Sequence, residues 1–379
     1  MNTSSSSIRA NPSIGCASSE ASMAAELIAN TDLLIEILVY LPATSLIRFM
    51  SVSKHWLSLI SSSRFTNRHT VQNPRSSASG LFLRRNGVPG KPAYVSLQGP
   101  PNPPSLAFLD GIVGTVRSFP KINHSSNGLL LCEYPWCISP NVFTSRFLVC
   151  NPTTRSYKFL PCRLLPRMLL GFLAFDPSKS PHYKVVAVGL YASASVQIDI
   201  FFSESSSWKQ FNLPNGGVRN VAVCSGVIHW IGGGNVRGFD IDSEKMLEFP
   251  SLPTMDGIRY FGEFAGRLTL IQSTTPSSLA FRILEMDKDH WHWIVKFQGT
   301  LGPLLSVCPE LFGSTTDYWP ILYIVEGNKE KDFGLVLAFR GKVIFYNLKS
   351  KAWNILSNEP IRYSHPCAAC PFVASLSPL

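Results

Sequence analysis

Charge is scarce in this 379-residue chain: Asp, Glu, Lys and Arg together make up 15% of it. Lys and Arg number 34 against 24 Asp and Glu, a net charge of +10, yet the densest basic cluster is the pair Arg84-Arg85. A nucleic-acid footprint is concentrated on one face, so this excess reads as background and no nucleic-acid partner is expected. Long hydrophobic runs are also missing. The most apolar stretch, Leu33 to Met50, is broken by Glu36, Pro42 and Arg48, short of the roughly 18 unbroken apolar residues of a membrane span. The opening MNTSSSSIRANPSIGCASSEAS lacks the apolar core of a secretory signal. Cysteines are odd in number, nine, and most sit beside apolar neighbours, as in FLVC, GLLLC and VAVC. That pattern suits free buried thiols in a reducing compartment. The expectation is a protein of the nucleus and/or cytoplasm with no membrane association.

What is present falls into unlike parts. Residues 1–25 hold eight serines and few large apolar groups, too little to offset the entropy of ordering, and read as a disordered tail. Residues 26–69 carry helical periodicity. In TDLLIEILVYLP, Leu33, Leu34, Ile37, Leu38 and Leu41 recur at three- and four-residue spacing, with Thr31 or Asp32 as candidate N-caps and Pro42 as the stop. ATSLIRFMSV gives a second helix with Leu46, Phe49 and Met50 on one side. Ser53 can cap a third, KHWLSLI, where Trp56, Leu57 and Ile60 share a face. Three short helices cannot hide this many apolar side chains, so part of the set should face a partner.

Residues 70–104 read as a linker or an irregular first strand. From 105 to 379 the chain is strand-like: VVAVGLYA, VQIDIFF, GVIHWIG, GRLTLIQ, GLVLAFRG and KVIFYNL are short, β-branched and aromatic, and separated by Gly, Pro, Asn and Ser. No long amphipathic helix intervenes, which argues against a parallel α/β sheet. A unit repeats here: an apolar run, a polar corner, then a strand opening on a large side chain. FLVCNPTTRSYKFLP, DIFFSESSSWKQFNLP, RGFDIDSEKMLEFPSLP, RILEMDKDHWHWIV and VIFYNLKSKAWNIL carry the anchors Tyr157, Trp208, Met246, Trp291 and Trp353. Their spacing brackets the roughly 40–50 residues of a propeller blade. Gly-led strands precede most of them, and the length suits about six blades. Closure leaves no open sheet face, so a β-propeller is favoured and an antiparallel sandwich is the alternative.

The helical part resembles an F-box. Residues 29–60, ANTDLLIEILVYLPATSLIRFMSVSKHWLSLI, match that pattern at Asp32, Leu33, Leu34, Glu36, Ile37, Leu38, Leu41, Pro42, Leu46, Arg48, Phe49, Val52, Ser53, Lys54, Trp56, Leu59 and Ile60. The departure is at the opening, where Ala29-Asn30 replaces Leu-Pro. The β part resembles the plant F-box-associated, Kelch-like propellers, through CNPTTRSYKFLP at 150–161 and GVIHWIG at 226–232. The resemblance implies a substrate receptor of an SCF-type ubiquitin ligase that is not itself an enzyme. In that role Leu33, Leu34, Ile37, Leu38, Leu41, Pro42, Leu46, Phe49, Val52, Trp56 and Ile60 would bind a Skp1-like adaptor, and through it cullin and a RING subunit. The propeller would hold a target protein. A non-degradative interaction scaffold is the alternative with the same layout.

Chemistry is hard to find in the remaining motifs. Asp287, Asp289, His290 and His292 in DKDHWHW suit a polar turn better than a metal site. Cys367 and Cys370 form a CxxC beside His365, without a second pair at ligand spacing. Gly232 to Gly234 lack the Lys-Ser/Thr of a phosphate loop. His229 suits either a channel lining or a satisfied interior. No cofactor or metal is expected. Arg155, Lys158, Lys209, Arg219, Arg237, Arg259, Lys349 and Lys351 stand in or near the corners, where they could attract an acidic or phosphorylated target segment or serve only as solvated surface.

Overall fold

A computed structural model describes residues 30–73, 78–83, 91–99, 102–112, 119–139, 142–162, 169–189, 195–214, 218–232, 235–252, 257–275, 278–287, 292–309, 319–326, 333–339, 341–358 and 369–379. The tail expected at 1–25, with Ala29, Trp291, His290, Asp289, His365 and Cys367, lies outside the described residues. The chain divides into two units between Asn73 and Pro74.

The first unit is helical: α1 (30–38), α2 (Ala43–Phe49), α3 (Lys54–Ser61) and α4 (Ser63–Gln72). Pro42 stands as N-cap of α2 with φ −57°, so one residue ends the first helical segment and opens the next. Ser53 caps α3 by accepting from Trp56 N at 3.2 Å, as its spacing predicts. Two expectations are corrected. Thr31 and Asp32 are not caps, because the helix already includes residue 30; Asp32 instead pairs with Arg64 of α4 at 3.6 Å, and Glu36 with Arg68. A fourth helix follows the expected three. SRFTNRHTVQ has almost no apolar stripe, yet Phe65, Thr66, His69 and Thr70 are buried. His69 Nε2 donates to Leu41 O at 2.8 Å and Asn73 Nδ2 to Val39 O at 2.9 Å. Those two carbonyls lie just past α1, where the helix leaves acceptors without intrahelical donors. Polar side chains therefore hold α4 in place.

The second unit is a six-bladed β-propeller. Blade I pairs β1 (Gly80–Leu83) with β2 (Ala93–Ser96) and with the last strand, β23 (Ala369–Phe372). Blade II is β3 (Lys121–Ser126), β4 (Leu129–Ser139), β5 (Val142–Asn151) and β6 (Ser156–Phe159). Blade III is β7 (Leu169–Ala174), β8 (Lys184–Gly189), β9 (Ser195–Phe202) and β10 (Ser207–Pro214). Blade IV is β11 (Arg219–Cys224), β12 (Val227–Gly232), β13 (Asn235–Asp240) and β14 (Lys245–Glu248). Blade V is β15 (Ile258–Phe264), β16 (Arg267–Ser273), β17 (Ala280–Met286) and β18 (Trp293–Thr300). Blade VI, after the short helix α5 (Gly302–Val307), is β19 (Ile321–Glu326), β20 (Phe333–Phe339), β21 (Lys342–Asn347) and β22 (Trp353–Ser357). Every blade is antiparallel, and blades II to VI are meanders. The stretch 70–104 thus holds the end of α4 and two strands of blade I.

Each sheet is apolar on both faces because each face meets a different neighbour. In GLLLC, Leu129 and Leu131 pack toward Leu173 and Val185 of blade III, while Leu130 and Cys132 pack toward Phe82 and Phe372 of blade I. Six such cores fill the six junctions, and the first strands run β3, β7, β11, β15, β19, β23 round the ring, each beside the next.

Closure has two parts. Strand β23 joins the chain's last strand to its first, with Phe82 opposite Cys370. The residues after β23 then cross to blade II. Asn151, fully buried, donates through Nδ2 to Ser375 O at 3.0 Å and Ser377 O at 2.9 Å. Its Oδ1 accepts from Thr153 N at 2.9 Å and so also builds the corner between β5 and β6. Gly128 (φ +86°) leaves room for this crossing, since a Cβ there would lie 2.2 Å from Ser375 Cβ. Asn151→Ala is expected to cost about 2–4 kcal/mol, because it orphans several buried groups at once; urea unfolding of the full chain checks it.

A second prediction concerns pH. His124 on β3 is half-buried, and its Nδ1 accepts from Leu173 N of blade III at 3.2 Å. Burial lowers its pKa from 6.5 to about 4. The unfolded chain takes the proton near the ordinary value, whereas the folded chain refuses it until about 4. Stability is therefore full above about pH 6.5 and falls between there and about 4, by about 3 kcal/mol. His124→Leu should flatten that portion of the stability-against-pH curve.

Candidate adaptor-binding surface and corners of the propeller

The first unit has one strongly apolar exposed surface. On α1 and the turn that follows it, Leu33 (60% exposed), Ile37 (57%) and Tyr40 (65%) follow one another at helical spacing. Val52 and Leu57 are also exposed, and Trp56 stands half-buried with its ring edge-to-face on Phe49 at 5.4 Å. The opposite side of α1 builds the core: Ile35, Leu38 and Val39 are buried, with Leu46, Ile60 and Phe65 from the other helices.

The eleven residues proposed for adaptor contact sort into three groups on this frame. Leu33, Ile37, Pro42 and Val52 are exposed. Leu34, Leu41, Phe49 and Trp56 are half-buried. Leu38, Leu46 and Ile60 lie inside, 2%, 0% and 0% exposed, where they shape the surface from beneath. Tyr40 and Leu57 are exposed but absent from the proposed set. The signal for Tyr40 was its place seven residues after Leu33 and three after Ile37. Asn30 lies within α1.

In the propeller the repeated corners share one construction. Asn151, Asp240 and Asn347 each end a third strand and accept, through Oδ1, from main-chain N–H groups two and three residues on. The fourth strand then follows a left-handed residue: Arg155, Ser206, Glu244 or Lys351. Burial would raise the Asp240 carboxyl, but hydrogen bonds from Ser243 and Asp242 and the nearby Lys184 bring it below its ordinary value. It is thus an anion at neutral pH, suited to holding its turn.

Three of the eight corner cations are engaged with other groups. Lys209 pairs with Glu244 at 2.5 Å, Lys351 Nζ donates to Leu348 O at 2.5 Å, and the Arg259 guanidinium lies over the Trp319 ring at 4.7 Å. Arg155, Lys158 and Lys349 are exposed. Arg237 lies on β13 opposite Glu248, and Arg219 is on β11.

The residues considered for chemistry do not converge. His229 is buried with its ring 4.9 Å from Phe249 in the junction between blades IV and V, while Tyr260 packs in the next junction and donates to Glu263 O at 2.9 Å. Asp287 and His292 close a turn, Asp287 N donating to His292 O at 2.9 Å. Gly232 ends β12, and Cys370 is buried in the closing strand. Glu133 is enclosed by Lys121, Asn123 and Ser145 at 2.6–2.8 Å. Burial would raise its carboxyl, but Lys121 and the three hydrogen bonds together lower it. Its acceptor capacity is taken up by structure. Among the described residues no group of three or more His, Cys, Asp and Glu is placed to hold a metal. Six described cysteines are free, and all but Cys162 are buried.

Comparison with known proteins matches the F-box domain at residues 30–68 and the F-box associated beta propeller domain at residues 111–359. Similar proteins come from Arabidopsis thaliana. F-box protein At5g07610 is 31% identical over 345 residues, covering 83% of this chain and 79% of the relative. F-box protein At5g49610 is 27% identical over 363 residues, covering 85% and 89%.

Proposed function

We infer function from membership: this chain belongs to the F-box proteins that carry an F-box associated β-propeller domain. We propose that it is the substrate-recognition subunit of an SCF-type ubiquitin ligase. The first unit binds a Skp1-like adaptor, and with it cullin and a RING subunit, and the propeller holds the protein to be ubiquitinated. The observation that carries this reading is the exposed stripe Leu33, Ile37 and Tyr40 within the matched F-box. Three large apolar side chains on α1 and the turn after it need cover, and a partner helix bundle supplies it. The chain contributes binding and placement, and no residue is assigned a catalytic role. A nuclear or cytoplasmic location goes with this assembly.

The test is a comparison of proteins captured by the propeller in cells carrying either the wild-type chain or Leu33→Asp/Ile37→Asp. The proposal expects longer half-lives and less ubiquitin on captured proteins with the variant. Unchanged half-lives for every captured protein would instead favour a non-degradative scaffold.

A further inference from the structure

Among the described residues each outer strand, β6 included, pairs on one side and with no strand on the other; β6 is distinguished by carrying two exposed aromatic rings on either side of an exposed lysine. Hydrogen-bonded and non-hydrogen-bonded pairs alternate along an antiparallel ladder. Leu160 N donates to Phe147 O at 3.0 Å, so one and three steps of alternation turn the main-chain N–H and C=O groups of Phe159 and Tyr157 toward the open edge. Their side chains are 41% and 43% exposed. The two rings stand 5.6 Å apart at 80°, with Phe108 stacked on Tyr157 and Tyr134 edge-on to Phe159.

Among the described residues blade I has three strands where the others have four, and Phe108 of the 3-10 turn Ala107–Leu109 reaches Tyr157. The corresponding Trp208 of blade III is half-buried against Phe201 and donates to Pro161 O at 3.1 Å. Charge differs as well. Lys184 and Lys209 of blade III meet Asp242 and Glu244, whereas the exposed Arg155 and Lys158 have no carboxylate partner among the described residues.

We propose that the open edge of β6 is the target-docking strip and takes an extended acidic segment with apolar residues at every second position, added to blade II as a fifth strand. Strand β6 itself alternates Tyr157, Lys158, Phe159, so an incoming strand of matching period sets its apolar side chains on the two rings and its carboxylates beside Lys158 and Arg155. The main-chain groups of Tyr157 and Phe159 supply the pairing. Single-stranded nucleic acid also binds aromatics with cations. Here, however, the exposed rings are nearly perpendicular and Phe108 covers one face of Tyr157, so no parallel platforms are offered to successive bases. The strip rests on the reading of the propeller as the target-binding unit.

The test uses the full chain and a fluorescein-labelled peptide about ten residues long of alternating Val and Glu, compared by fluorescence polarisation with a Val–Lys peptide and with oligo-uridine. The Val–Glu peptide should bind about tenfold or more tightly than the Val–Lys peptide. Lys158→Glu should reverse that order, and Tyr157→Ser/Phe159→Ser should weaken Val–Glu binding about tenfold or more while the variant, checked by a thermal melt, stays folded at the temperature of the titration. N-methylation of alternate peptide amides should abolish binding, since it removes main-chain pairing. Failure of the Val–Glu peptide to bind, equal binding by wild type and both variants, or preference for oligo-uridine would each overturn the strip. Skp1-like adaptor binding, measured on the same sample, separates the two readings: adaptor bound with peptide refused removes the strip alone, and adaptor refused with peptide bound removes the ligase role alone.

Discussion

Replacing Leu33 and Ile37 with aspartate is expected to abolish binding of a Skp1-like adaptor, weakening it by more than about a hundredfold. The melting transition of the propeller should not move. Both side chains point away from the helical core and are more than half exposed, so the substitution removes contact area and places two charges where a partner would have to desolvate them. The helix itself should survive, because Ile35, Leu38 and Val39 hold it from the other side. Trp56→Ala should also weaken the adaptor, but for a mixed reason: its ring is half-buried and supports Phe49 at 5.4 Å. That variant should therefore lose helical stability along with affinity. Titration of adaptor into each variant, paired with a thermal melt, distinguishes the two effects.

Trp319→Ala is expected to produce the largest loss of stability, about 3–5 kcal/mol. Trp319 is fully buried in the junction between blades V and VI, 5.6 Å from the Phe281 ring, with Nε1 donating to Ser278 O at 3.3 Å. Removing it opens a cavity, orphans a carbonyl and leaves the Arg259 guanidinium without the ring beneath it. Trp353, one of the anchors read from the sequence, is only partly buried at the edge of the same core, so Trp353→Ala should cost about 1–2 kcal/mol, less than a full cavity. Urea unfolding of the full chain orders the two, and adaptor affinity should be unchanged in both.

The propeller was legible because its corners are chemically repetitive. Tyr157, Trp208, Met246 and Trp353 each open or nearly open an outer strand, since the polar corner before them is one structural solution used several times. The Gly-led strands were legible for two different reasons. Gly226 and Gly266 occupy left-handed turn positions, whereas Gly171 is inside β7, where a Cβ would meet Asn123 and Phe147 at 3.0 Å. Blade I could not be read in sequence order, because β1 and β23 come from opposite ends of the domain and neither contains a hairpin corner shared with the other. Helix α4 left no apolar period to find, as His69 and Asn73 fasten it through hydrogen bonds.

The adaptor surface shows a different limit. Helix α1 is apolar on two sides, one for its own core and one for solvent. Spacing alone groups Leu38 with Ile37, although the first is 2% and the second 57% exposed. Only the position of the other helices separates them. The same ambiguity hid Tyr40, whose hydroxyl gives it the look of a helix-end residue while its ring completes the exposed stripe.

The most direct test of the account is a calorimetric titration of a Skp1-like adaptor into the purified full-length chain, repeated with Leu33→Asp/Ile37→Asp. The account predicts a saturable complex of one adaptor per chain, absent in the variant, whose propeller melts as the wild type does. A folded wild-type chain that takes up no adaptor, or a variant that binds it as tightly as the wild type, would contradict the account.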